Sequence, residues 1–477
     1  MLLARLRIDD PRARVRIVLA GAVLATLLGA ALAVFVHPLA ALACLLALAA
    51  APFVMRDIDL AFLALVAVIT LLPFAALPFG IGFNPTLLDL ALGTVYLIFL
   101  MRLVLRDQAR VHLPPLSGGV LLFMGLMVAA LLAGSANGMP GRNQIRGFAE
   151  LLLGAGLFFV VANLIEDRQR LRRIFLALVG FGFAAACIGL ALYLLPDGLQ
   201  VRLLSTLSVL DYPSGPGVLR FLNDDPGRLQ RATGTSIDPN SFGGMLGVMT
   251  ALLLPQAISR RPLIDRRLVL PAVALMSLAL LATVSRGSLV GFVAALGVIG
   301  LVRDRRMLAL GLVAGLGLLA LAQVLPWTHA YVEHFLAGLA GRDRATVMRF
   351  GEYKDALRLI ERYPWFGVGF GSPRDIDLYR GVSSLYLIIA ETMGLIGLTA
   401  FLGLMATATL RLLLAWHGMP AGGQRALVLG CLAALATALT TGLVDHYFFT
   451  YPHAFALMWL ILGLGMRAVE IEPEAAP

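Results

Sequence analysis

The chain has 477 residues, 60% of them hydrophobic and only 14% charged, with a mean hydropathy of +0.88. A soluble domain of average composition is far less apolar, so the chain reads as an integral membrane protein. Its net charge of +10 does not call for nucleic acid, because the arginines are spread over short loops suited to anionic head groups and no aromatic-rich soluble module accompanies them.

Apolar runs of about 17 to 25 residues, enough to cross roughly 30 Å of hydrocarbon as helix, recur along the chain. They centre on Leu27, Ala47, Val66, Leu92, Met127, Leu157, Phe183, Met249, Leu275, Leu296, Leu316, Ile396, Leu435 and Leu460. This predicts an all-α, polytopic membrane protein with about 12–14 transmembrane helices. The first run could pass for a cleavable signal, but further spans follow it closely and it is read as a signal anchor.

Basic residues give the orientation. Arg5, Arg7, Arg12, Arg14 and Arg16 at the start, then Arg102/Arg106/Arg110, Arg168/Arg170/Arg172/Arg173, Arg260/Arg261/Arg266/Arg267 and Arg303/Arg305/Arg306, fall on one side when the spans alternate. The positive-inside rule makes that side cytoplasmic. The organisation expected is N-terminal transmembrane helices over residues 1–195, a first long outer loop over 196–238, central transmembrane helices over 239–325, a large, partly helical outer loop over 326–382, C-terminal transmembrane helices over 383–468 and a cytoplasmic tail over 469–477. Cys44, Cys187 and Cys431 stand singly inside apolar runs and read as small core residues.

Several arginines stand on the outer side against the topogenic bias. Arg142 and Arg146 precede the span at Leu157, Arg231 precedes that at Met249, and Arg286 sits in V-S-R-G between two spans. A planar guanidinium fork suits a diphosphate and stays charged at any relevant pH. In R-A-T-G-T-S-I-D-P-N-S-F (231–242), Asp238 reads as a helix cap, with Pro239 in the first turn and Asn240 beside it. The free amides of such a helix start attract anions. In the second loop, residues 345–361 carry helix-spaced apolar positions that Pro364 would terminate, and glycines follow in Y-P-W-F-G-V-G-F-G-S (363–372).

This ordered set resembles the O-antigen ligase and polysaccharide polymerase family. The resemblance rests on R-x-x-G-x-x-x-D-P-N (231–240), S-R-G (285–287), R-x-x-x-Y-x-x-A (349–356), P-x-x-G-x-G (364–369) and E-T-x-G-L-x-G (391–397). It implies a metal-independent inverting glycosyltransferase of the bacterial inner membrane, needing no cofactor, with both termini cytoplasmic and a periplasmic active site. The implied donor is a glycan on undecaprenyl diphosphate, and the acceptor is a lipid A core or a further lipid-linked repeat unit. A chain-length regulator or export machinery is a possible partner. Carried over, Arg231 and Arg286 would hold the diphosphate, with Arg146, Asp238 and Asn240 beside them. Arg349, Gly367, Gly369, Gly371, Ser383, Ser384, Tyr386 and Glu391 would shape the pocket.

Ligases of this family usually carry a histidine at the start of the helix after the large loop, where this chain has Val382, Ser383 and Ser384. That departure points to the polymerase-like branch and leaves the proton acceptor to other groups. Glu352 is the first choice, ahead of Asp355 and the intramembrane Glu391, while His329, His334 and His446 read as structural or solvated. A peptidoglycan-type polymerase would share the substrate chemistry. The alternative class is a lipid-linked oligosaccharide flippase or other transporter, which should carry its charges near the midplane across two related halves.

Overall fold

The computed structural model describes residues 58–78, 84–104, 111–136, 138–321, 326–341, 343–371 and 381–472. The spans expected around Leu27 and Ala47, the basic start and Cys44 lie outside these residues. In chain order the helices are α1 (Ile58–Leu71), α2 (Leu87–Val104), α3 (Ser117–Ser135), α4 (Arg142–Leu164), α5 (Arg168–Tyr193), α6 (Asp197–Ser205), α7 (Pro239–Leu253), α8 (Arg266–Ala282), α9 (Arg286–Val302), α10 (Arg306–Leu321), α11 (Pro326–Leu339), α12 (Arg344–Arg362), α13 (Leu385–Gly418), α14 (Gly423–Thr441), α15 (Tyr447–Thr450) and α16 (Pro452–Glu470). All the other predicted centres, from Val66 to Leu460, fall inside one of them. Among the described residues the only strands are the short antiparallel ribbon β1 (Arg220–Phe221) and β2 (Gln230–Arg231).

The protein is an all-α, multi-pass membrane protein. Among the described residues seven helices are long and apolar enough to cross a bilayer: α2, α3, α4, α5, α13, α14 and α16. α1 and α9 are shorter apolar helices of 14 and 17 residues. The spanning helices are graded from inside to outside. α16 and α14, with 83% and 78% of their windows buried, are the least apolar of the seven, while α2 and α3, at 28% and 33%, are more so. Helix association in lipid gains little from hydrophobicity and relies on close packing, and α7 and α14 bury small residues such as Gly243, Gly244, Gly247, Gly430, Ala433 and Ala434. α7, nearly all of it buried, packs along α8, α9 and α14, and α16 runs along α4.

α13 is broken. Gly394 has φ 70° and ψ −178°, a region open essentially to glycine alone. The carbonyls of Glu391 and Thr392 before the break accept from the Val368 and Gly369 amides at 2.8 and 3.0 Å, and the Leu395 amide donates to Pro364 at 2.7 Å. Residues 363–369 thus fold back against α13 and satisfy backbone groups that lipid could not. The approach leaves no room for side chains: a Cβ on Gly394 would lie 2.1 Å from the Trp365 carbonyl oxygen, and one on Gly369 would lie 2.5 Å from the Gly134 Cα of α3.

Candidate functional site

Four helices begin at one place. α7 starts with Asp238 capping the Ser241 amide (2.8 Å) and Pro239 in its first turn, as the sequence predicts. α9 starts at Arg286 behind the cap Ser285, α12 at Arg344 behind Asp343, and α13 at Leu385 behind Ser384. Between these starts lies a cavity of about 290 Å³ lined by residues from all four connections and by the loop at Phe221–Asp224. Among the described residues its walls carry four arginines, Arg231, Arg286, Arg344 and Arg349, against two carboxylates, Asp224 and Glu352. Cationic side chains and the positive ends of four helix dipoles therefore face the same space, a natural seat for an anion.

Backbone strain gathers at the same place. Asn223, Asp224 and Val284, which line the cavity, have φ of 57°, 57° and 52°, and nearby Ile237 has 58°. Left-handed backbone at β-branched residues is costly and persists where the surroundings enforce it, often at functional sites.

Three of these arginines have distinct partners. Arg231, in β2, donates from Nε to the Thr283 carbonyl (2.9 Å) and from Nη2 to Asn240 Oδ1 (2.6 Å), and the neighbouring Ala232 amide bonds Ala282 at the end of α8 (2.8 Å). Burial pushes its guanidinium down to about 10, with Asp238 and Asp445 opposing, so it stays cationic at neutral pH. Arg286 forks onto Asp343 at 3.1 and 2.7 Å and also donates to the His334 carbonyl (3.2 Å). Burial works to raise the Asp343 carboxyl, but hydrogen bonds from Arg286 and Thr346 outweigh it and hold the group well below the usual range. The fork fits because residue 338 is glycine, where a Cβ would collide with the guanidinium. Arg349 stands 4.0 Å from Asp445, whose carboxyl burial pushes up to about 6 against the pull of His446 and Arg349.

Glu352 and Tyr353 tie α12 to the start of α13. Glu352 Oε2 accepts from the Ser383 amide (2.9 Å), and the Tyr353 hydroxyl donates to the Ser383 carbonyl (3.2 Å). One carboxylate edge is thereby anchored on a wall of the cavity.

Six of the residues expected at the site line this one cavity: Arg231, Asn240, Arg286, Arg349, Glu352 and Ser383. The others lie elsewhere. Asp238 caps α7 and lines a neighbouring cavity of about 290 Å³ that shares Phe221, Asp224 and Arg231 with the first. Arg146 is paired with Asp89 (3.1 Å) and Glu150 (3.2 Å) on the flank of α4. Gly367 and Gly369 pack on the break in α13 and on α3, and Gly371 packs beside the Gly138 carbonyl. Ser384 is a buried helix cap, Tyr386 donates to the Leu439 carbonyl of α14 (2.8 Å), and Glu391 is buried and accepts from the Gly381 amide (3.3 Å). Asp343, Arg344 and His334 were not singled out for the site by sequence, although an aspartate directly before a predicted helix is a cap signal. The His334 imidazole, pushed down to about 4 by burial and the Arg286 charge, is neutral at the cavity wall.

Residues 271–402, which include α9, α12 and the start of α13, match the family model described as O-antigen ligase. Over those residues the chain is similar to that family. It is also 32% identical over 180 residues to an "O-antigen ligase" of Pseudomonas aeruginosa, a match covering 37% of this chain and 42% of that relative. It is also 28% identical over 196 residues to a "Probable peptidoglycan glycosyltransferase FtsW" of Halomonas elongata, a match covering 36% of this chain and 46% of the relative. The chain thus matches less than half the length of either. The O-antigen ligase family match contains Arg286, Asp343, Arg344, Arg349, Glu352 and Ser383.

Proposed function

We propose that this protein transfers a glycan from undecaprenyl diphosphate to a sugar hydroxyl, on the periplasmic side of a bacterial inner membrane. The observation that carries the reading is the single cavity at which four arginines, four helix starts and an anchored glutamate converge. The basic linkers at 168–173, 260–267 and 303–306 lie at the opposite helix ends and support this orientation under the positive-inside rule. Both matched relatives bear names of glycan-joining enzymes.

In this reading the acceptor oxygen attacks the anomeric carbon as the bond to the lipid diphosphate breaks, and the configuration inverts. The departing diphosphate keeps the bonding electron pair, and Arg231, Arg344 and Arg349 face the charge that develops there. Preorganised donors aimed at developing charge are commonly the largest catalytic contribution. The acceptor proton passes to Glu352, whose Oε2 is positioned by the Ser383 amide. Arg286, with its fork committed to Asp343, acts mainly by holding the start of α12 over the cavity and adds its charge from there.

No metal or cofactor enters this scheme. The absence of the usual histidine before α13 favours chain growth over transfer to a lipid A core. Purified protein in vesicles with undecaprenyl-diphosphate-linked repeat units is the test: longer lipid-linked chains support a polymerase, and glycan on added lipid A core supports a ligase. Neither product, from folded protein, would refute the reading.

A further inference from the structure

At the other membrane edge, the start of α5, the connection between α7 and α8 and the connection between α13 and α14 enclose a cavity of about 360 Å³. Arg168, Arg172, Arg261 and Arg425 line it, and among the described residues no carboxylate does. A topogenic belt requires only that arginines lie on one side of the membrane. Here they come from three separate connections and face one concavity.

The walls are fixed. The buried side chain of Gln256 donates to the Gly423 carbonyl (3.0 Å) and accepts from the Leu263 amide (2.9 Å), clamping the start of α14 to the α7–α8 connection. A Cβ on Gly423 would lie 2.8 Å from the Arg261 carbonyl oxygen, so the two segments touch backbone to backbone. Arg172 Nε donates to the Leu263 carbonyl (3.1 Å), joining α5 to the same wall. α14 opens with Gly422 as its cap, which supplies no side-chain acceptor for the first-turn amides. Arg425 lies 4.1 Å over the Trp416 ring, and its Nε is buried without a hydrogen-bond partner. The cavity therefore combines paired-donor cations, an open helix start and a cation already stripped of part of its water.

We propose that this cavity binds the phosphate of an anionic membrane lipid, separate from the glycan site. Phosphate is the shared chemistry, and the position at the membrane edge assigns it to a lipid phosphodiester rather than to the free ion. Basic pockets between spans on the cytoplasmic side suit such head groups, and each arginine near the surface contributes about fivefold in affinity.

The test is native mass spectrometry of the purified full chain titrated with dioleoyl phosphatidylglycerol, with phosphatidylcholine and inorganic phosphate as comparison probes. We expect retained phosphatidylglycerol, weak binding of phosphatidylcholine and no displacement by millimolar phosphate. Arg261→Gln with Arg425→Gln should weaken phosphatidylglycerol binding about 25-fold, whereas Arg305→Gln, outside the cavity, should not. Arg261→Glu alters an exposed position and serves if the double variant does not fold; it should weaken binding at least tenfold. Equal binding in wild type and in the variants altered at Arg261, equal binding of the two lipids, or displacement by free phosphate would overturn the proposal.

Discussion

The pair between Arg286 and Asp343 offers a direct test of how the glycan site is held together. Its side chains are 15% and 5% exposed, and the two hydrogen bonds are 3.1 and 2.7 Å long. Removing one partner of a buried pair costs about 3–5 kcal/mol, because the remaining charge is left uncompensated. Here Asp343 keeps the Thr346 hydroxyl (2.5 Å), so Arg286→Ala should cost less, about 2–3 kcal/mol. That corresponds to roughly 30- to 150-fold more frequent opening of α11 and the first turn of α12. Hydrogen exchange read by mass spectrometry on peptides covering 331–349 should show this acceleration, while α7 and α14 remain protected. Arg286→Lys keeps the charge but not the fork and should fall between. The double variant with Asp343→Ala should be less destabilised than the sum of the singles, by about 2 kcal/mol. Unchanged exchange in Arg286→Ala, or strict additivity, would refute the reasoning.

Glu352→Gln retains an acceptor for the Ser383 amide but cannot take a proton, so turnover in the vesicle assay should fall about 10²- to 10⁴-fold with α12 still protected; activity within threefold of wild type would remove Glu352 from the proton path. His334 has its folded pKa lowered to about 4 from 6.5, so the unfolded chain binds more protons between those values. The stability contributed by neutral His334 is therefore complete above about pH 6.5 and is lost as pH falls toward about 4. Thermal unfolding scans should show this decline in wild type and a shallower one in His334→Gln. Gly394→Ala places a Cβ 2.1 Å from the Trp365 oxygen at φ 70°, and the strain and collision together should cost about 3 kcal/mol or more. Size-exclusion profiles should show loss of monodisperse protein, and a normal profile would mean that the break in α13 is not required.

The spanning helices were legible because lipid leaves a plain record: long apolar runs, basic linkers on one side, and Asp238-Pro239 opening α7. The loop helix was legible from the spacing of Val347, Phe350, Leu357 and Ile360, and the structure extends it by a residue at each end, to 344–362. The glycines at 367, 369 and 371 were harder to place. Their spacing announces close backbone approach but not to what, and they meet α13, α3 and the Gly138 carbonyl rather than the cavity. Arg146 illustrates the same gap, since Asp89 is 57 positions away and becomes its partner only on folding. Arg286 stood out as an arginine between two spans, yet its occupied fork follows from Asp343 and from the absence of a side chain at Gly338.

The central claim is that the arginine-lined cavity holds a polyprenyl carrier by its phosphates. Its most direct test is equilibrium binding of undecaprenyl diphosphate and undecaprenyl monophosphate to wild type and to Arg231→Gln with Arg349→Gln. The account predicts tighter binding of the diphosphate by wild type and at least a tenfold loss of it in the double variant, with the fold intact. Equal affinity for both lipids, or undiminished diphosphate binding in the variant, would contradict it.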